Sequence, residues 1–305
     1  MNAMTGRSFL SPRFLLLFFC LSATSSLKFE VDQLSAAPCL DSGDAQETID
    51  HRGIYPLWKW DPQAQHRCNI ESVTIDSFYA RFTKQGLPPL YPTPIIIKLA
   101  FNNATIRNAK FRKMTSLEQI VTSLPQALKV TLSSSNSFSE HRRTIPLTQY
   151  LTEILDLVET TPDILSNETW YLFGETFSEE WSDLLSNYEL PMCHTCTNEL
   201  TALSFGIGNR GSGVQWHIHG PGFSEALHGR KHWILYPPHL EPKYHPDYTS
   251  RYWMEHEYTA LPQKDLPYEC TLYPGDIIYF PNLWWHATIN LDPYTSFISS
   301  FTTEH

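Results

Sequence analysis

Gln215-Trp216-His217-Ile218-His219-Gly220-Pro221-Gly222 is the stretch on which the fold turns, because imidazoles alternate with apolar side chains and a Gly-Pro-Gly break follows. On an extended backbone successive side chains point to opposite faces, so His217 and His219 share one face while Trp216 and Ile218 share the other. Two imidazoles therefore enter one space. Further on, Tyr273-Pro274-Gly275-Asp276 turns into Ile277-Ile278-Tyr279-Phe280-Pro281, and Trp284-Trp285-His286-Ala287-Thr288-Ile289-Asn290 begins another strand. His286, Thr288 and Asn290 fall on one of its faces. Between the two histidine stretches runs Gly229-Arg230-Lys231-His232-Trp233-Ile234-Leu235-Tyr236, in which Lys231 alternates against apolar neighbours. A lysine on an inward face calls for an anion.

Outward from these stretches, residues from about Leu203 to Phe301 read as strands punctuated by Gly and Pro. The part N-terminal to them is helical in period. Ser116 with Gln119 has the form of a capping box for a helix bearing Leu117, Ile120, Val121 and Leu124, ended by Pro125. Leu147, Tyr150, Leu151, Ile154, Leu155 and Val158 predict a second amphipathic helix, and a short one is expected near Trp181 after the strand-like Trp170-Tyr171-Leu172-Phe173. Ile75, Phe78, Tyr79 and Phe82 give a helical face ahead of the β-branched strand Pro94-Ile95-Ile96-Ile97. The expected fold class is mainly β with added α-helices, a helical N-terminal portion packed on a barrel at about 203–303. Residues 68–305 form one unit in this reading, and 27–67 form a loosely ordered extension without sustained period.

The first 26 residues carry Arg7 and Arg13, no acid, an apolar run from Phe14 to Leu21 and then small Ala23-Thr24-Ser25-Ser26, the pattern of a cleavable signal peptide. That run is far short of the roughly 20 residues needed to cross a bilayer. The formal charge of -10 becomes more negative when Arg7 and Arg13 leave, and no basic block exists to track a phosphate backbone, which argues against nucleic acid. The 42% hydrophobic content suffices for a packed core. Asn103-Ala104-Thr105 and Asn167-Glu168-Thr169 are glycosylation sequons usable by a chain in the secretory pathway. Cys39, Cys68, Cys193, Cys196 and Cys270 remain after cleavage, an odd number, and their pairing does not follow from sequence. Cys193-His194-Thr195-Cys196 reads as a structural disulfide, with half a zinc site and a redox pair as the other readings.

Together, the His217-x-His219 pair, Gly-Arg-Lys231-x-Trp and Trp-Trp-His286 after Pro-Gly-Asp resemble the jumonji-C oxygenases, over about residues 68–303. The resemblance implies a cupin-like double-stranded β-helix that uses iron(II) and 2-oxoglutarate. It also implies His217 and His286 as metal ligands and Lys231 as the partner of the distal carboxylate of 2-oxoglutarate. The slot where the family places Asp or Glu holds His219. Three neutral imidazoles lack the anionic ligand that favours iron(II), so the metal set His217, His219 and His286 reads as a degenerate site. Glu225 is a conceivable substitute ligand, and Thr288 and Asn290 are candidate pocket lining. Taken singly, each histidine reads as a hydrogen-bonded core side chain, and Trp284 and Trp285 as packing; the matched set with Lys231 reads as a ligand site.

The pattern His-x-His-Gly-Pro-Gly with Trp-Trp-His-Ala-Thr is similar to a signal-peptide-bearing branch of that family. This implies location in the endoplasmic reticulum lumen, with secretion as the alternative, and positive regulation of NF-kappa-B signalling through protein partners. The expected function is a non-catalytic or weakly catalytic regulatory protein without a membrane span. The alternative is an iron(II)/2-oxoglutarate protein hydroxylase with a three-histidine site, and a thiol oxidoreductase working through Cys193 and Cys196 comes third.

Overall fold

The computed structural model describes residues 66–78, 80, 92–98, 107–139, 141–154, 169–176, 178–190 and 202–301. Twelve strands run through them: β1 Glu71–Thr74, β2 Ile95–Lys98, β3 Lys129–Ser134, β4 Arg142–Pro146, β5 Trp170–Leu172, β6 Ala202–Gly208, β7 Gly222–His228, β8 Lys231–Tyr236, β9 Tyr268–Leu272, β10 Ile277–Phe280, β11 Trp285–Asn290 and β12 Thr295–Phe301. They form a nine-stranded sheet in the order β1-β2-β10-β7-β12-β6-β5-β3-β4 and a three-stranded sheet β11-β8-β9. Only β1 and β2 run parallel; the other pairings are antiparallel. The fold is thus mainly β, with helices packed against both sheets.

Alternation decides which side chains go where. On β7 and β12, Leu227 and Ile298 face a core built with Phe111, Ile120, Trp181, Phe205 and Ile207, beneath the helices. Ala226, Trp233, Leu235, Cys270, Leu272, Ile278 and Phe280 form a second core, which closes the space between the two sheets. The lysine and histidine stretches point into that same space.

Several local expectations change in the folded chain. The helix Leu117–Ser123 forms, but the Ser116 side chain makes no cap bond; burial of Ile120 and Leu124 holds it instead. The period beginning at Leu147 gives one α-turn, Leu147–Gln149, and then a wide π-turn, Tyr150–Ile154, whose Tyr150 hydroxyl donates to the Ile207 carbonyl at 2.8 Å. Leu155 and Val158 lie outside the described residues. The region read as all strand also contains the helix Ser250–His256, capped by Thr249 Oγ1, which accepts from the Tyr252 N–H at 3.1 Å. Trp253 and Met254 bury its inner face.

Among the cysteines, Cys68 and Cys270 form a disulfide across a separation of 202 residues. Cys39, Cys193, Cys196, the sequons at Asn103 and Asn167, and the segment read as a signal peptide lie outside the described residues. No helix among the described residues is long and apolar enough to cross a membrane.

Candidate metal centre

Gln215–His219 was expected to be a strand, yet it forms a single antiparallel bridge, His217 with His286. Pro221, which offers no N–H, stands between this bridge and Gly222, the first residue of β7. The bridge is reciprocal: His217 N–H donates to His286 O at 3.1 Å and His286 N–H to His217 O at 3.0 Å. The face separation predicted by alternation is kept. Trp216 is fully buried against Tyr236 and Trp253, whereas His217 and His219 turn the other way. Leu283, in the left-handed region that bulky residues avoid (φ 59°), donates its N–H to the His219 carbonyl at 3.0 Å and ties this segment to the entry of β11.

The three rings converge. Their centroids are 4.1 Å apart for His217 and His286, 4.6 Å for His219 and His286, and 5.3 Å for His217 and His219. One ligand atom from each lies within 4.8 Å of the others. Each Nδ1 meets a backbone carbonyl: Gln215 O at 2.8 Å for His217, Gly220 O at 2.7 Å for His219 and Trp284 O at 2.8 Å for His286. A carbonyl only accepts, so each Nδ1 carries the proton and each neutral ring presents a bare Nε2. Burial keeps the rings neutral. It lowers the His217 pKa to about 3, lowers that of His219, and holds His286 well below the usual imidazole range, with the other two histidines adding to the last shift.

The Nε2 atoms of His286 and His219 stand 3.1 Å apart. Two lone pairs at that distance repel unless a cation or proton lies between them. Fixing Nδ1–H on a backbone carbonyl is also how metal-ligating histidines are oriented. The donor set therefore fits a divalent transition ion of borderline softness, and His217 and His219, only half-buried, leave one side open.

Aromatic walls surround the other sides. Trp233 and Phe280 stack on His286 at 5.8 and 5.0 Å, and Phe280 and Phe301 meet His219 edge-on at 5.3 and 5.1 Å. Trp233 was visible as the alternate of Lys231. The carbonyl anchors carry no side-chain signal and could not have been read from sequence.

Glu225 is not a substitute ligand. It is buried on the outer face of β7, where it accepts from Arg107 at 3.2 Å, from Tyr188 Oη at 2.8 Å, from Asn108 at 3.3 Å and from Arg112. Thr288 accepts from the Val214 N–H at 3.2 Å, which is backbone satisfaction rather than pocket lining. Asn290, in register with Lys231 across β11 and β8, accepts from its Nζ at 3.1 Å and donates to Ser212 Oγ at 3.0 Å. Lys231 is 2% exposed, and no carboxylate among the described residues pairs with it. Burial alone brings its pKa down to about 7.

A mainly β barrel with convergent histidines in its interior defines a cupin-like protein, and residues 92–301 match the cupin-like domain family. JmjC domain-containing protein 8 of Homo sapiens is 38% identical over 237 residues, covering 78% of this chain and 84% of its own length. Its Mus musculus counterpart is 36% identical over 240 residues, covering 78% and 83%. The chain therefore belongs to the jumonji-C family, as its motifs suggested. A lysine-specific demethylase of Arabidopsis thaliana, JMJ21, is 29% identical over 164 residues, 48% of this chain and 16% of that protein.

Proposed function

We propose that this chain is a lumenal regulatory jumonji-C protein that holds a divalent metal through His217, His219 and His286 and has little or no oxygenase turnover. The supporting observation is that, among the described residues, no carboxylate joins the cluster. The slot is filled by His219, and the nearby Glu225 is consumed by two arginines. Without an anionic ligand the metal keeps its full positive charge, which weakens iron(II) binding relative to ions that prefer nitrogen donors. Positive regulation of NF-kappa-B signalling and residence in the endoplasmic reticulum lumen follow from the resemblance to the signal-peptide-bearing branch. In this reading the aromatic-walled centre stabilises the barrel that protein partners recognise. The test is the metal content of the purified protein, with anaerobic iron(II) and zinc titrations in the presence and absence of 2-oxoglutarate. Stoichiometric iron binding that tightens with 2-oxoglutarate would overturn the proposal.

A second reading rests on Lys231, a buried cation that no carboxylate among the described residues pairs with. In a protein hydroxylase it would hold a carboxylate of 2-oxoglutarate, and bound iron(II) with that co-substrate would supply oxygen activation. Iron-dependent formation of succinate that disappears in Lys231→Ala would establish this reading; no turnover with iron and ascorbate present would dispose of it.

A further inference from the structure

The ammonium of Lys231 does have a neighbour, of an unexpected kind. The ring of Phe297 on β12 lies with its centroid 3.8 Å from Nζ. That ring occupies a prepared slot. Phe297 is in register with Gly206 on β6, and a Cβ at position 206 would overlap the ring, so a side chain there would expel it. Phe173 packs on the ring at 5.2 Å, and Phe297 is 2% exposed. The ammonium is thus held between the face of an aromatic ring and one neutral acceptor, Asn290 Oδ1. A cation held by a π face inside a barrel is partly compensated without any carboxylate.

We infer that Phe297 is the specificity-determining residue of the Lys231 pocket: its ring covers the ammonium at van der Waals distance, and a short dicarboxylate of the 2-oxoglutarate class binds only by displacing it. The inference rests on the second reading above for the class of ligand. The barrel carries its own occupant for the anion position, and Gly206 keeps the slot open for that occupant. An anion must offer more than the ring does, so affinity is set by a competition inside the protein.

Glutarate is the informative probe, because it has the two carboxylates but lacks the 2-oxo group through which a metal would be bound. Its binding to the full chain is measured by calorimetry for the wild type, Phe297→Ala, Phe297→Leu and Phe297→Ala/Lys231→Met, with near-ultraviolet circular dichroism as the check of folding. Phe297→Ala is expected to bind glutarate about tenfold more tightly than wild type, the equivalent of one desolvated cation–π contact. Lys231→Met should remove that gain. Phe297→Leu, which keeps bulk and loses the π face, should gain about threefold on the same basis and decides the matter if the alanine variant does not fold. Lys231 should also be acylated by a small water-soluble reagent faster in either variant than in wild type, read by peptide mass spectrometry. Equal or weaker glutarate binding in a folded variant, or a gain that survives Lys231→Met, overturns the inference. Tight 2-oxoglutarate binding and turnover by wild type with no gain in Phe297→Ala would sink the inference while the hydroxylase reading stands. A gain without turnover would leave the inference standing and remove the hydroxylase reading.

Discussion

Two buried ionic places lie on different sheets, Glu225 on the outer face of the nine-stranded sheet and Lys231 on the inner face of the three-stranded one, and they are finished differently. Glu225, on the outer face of β7, has two arginines, a tyrosine hydroxyl and an asparagine amide around its carboxylate. Lys231, inside the barrel, has one neutral acceptor and a phenyl ring. The three histidines beside it present unprotonated nitrogens to one another. Desolvating a charge costs several kcal/mol unless partners offset it, so a fold that completes one site and leaves the other incomplete is not failing at a general task. The completed site pins β7 to the segment Arg107–Arg112. The incomplete one is shaped for something that arrives from outside.

The largest effect that would sharpen this contrast is on the completed side. Glu225→Gln leaves two arginines without their counter-charge and should lower unfolding stability by about 3–5 kcal/mol in urea denaturation. A loss below about 1 kcal/mol would mean that the cluster is not internally compensated. On the incomplete side the sign should reverse. Lys231→Met removes an ammonium that burial disfavours and should stabilise the protein by about 1–4 kcal/mol near neutral pH. Destabilisation would break the comparison.

Within the incomplete place, pH reaches the lysine and the histidines in different ranges. The folded pKa of Lys231, about 7, lies below its ordinary value of 10.5, so across that window the unfolded chain holds a proton that the folded chain does not. Wild-type stability should therefore climb with pH from about 7 to 10.5, by up to about 1.4 kcal/mol per pH unit, and the advantage of Lys231→Met should shrink accordingly. For His217, lowered from 6.5 to about 3, the same sign places the loss on the acid side. The metal-free protein should lose stability as pH falls below 6.5, by up to about 1.4 kcal/mol per unit from this ring, and His217→Gln should flatten that slope. A flat wild-type profile between pH 6.5 and 4 would show that the histidines are not held neutral. The smallest effect is expected from His219→Asp. Restoring a carboxylate should tighten iron(II) binding by on the order of tenfold in anaerobic titration. No gain would mean that the three side chains do not act as one donor set.

Much of the barrel was legible because period 2 is a strong signal when one face is polar. His217/His219, Lys231/Trp233 and His286/Thr288/Asn290 all point where alternation puts them. The helix Ser250–His256 was missed because its buried Trp253 and Met254 sit among prolines and tyrosines that read as strand and turn; Thr249 three residues before Tyr252 was the available cue. The fate of Glu225 was not legible either. Its arginines come from more than a hundred positions away, and no local pattern announces such a pairing. For the same reason Phe297 looked like one more apolar strand residue. Only the pairing of β12 with β6, and of its ring with a lysine in the opposite sheet, gives it a role.

The bond between Cys68 and Cys270 has a consequence for how the molecule comes into being. Their separation of 202 residues means that during synthesis the first thiol emerges long before its partner exists. At 5–20 residues per second that interval is roughly 10–40 s. In its later part Cys193 and Cys196 have been made and Cys270 has not, so any oxidation of Cys68 within the chain beyond it at that stage joins the wrong pair. Correct assembly therefore depends on timing: the thiol at the start of the barrel must stay reduced, or be rescued by exchange, until β9 has been made.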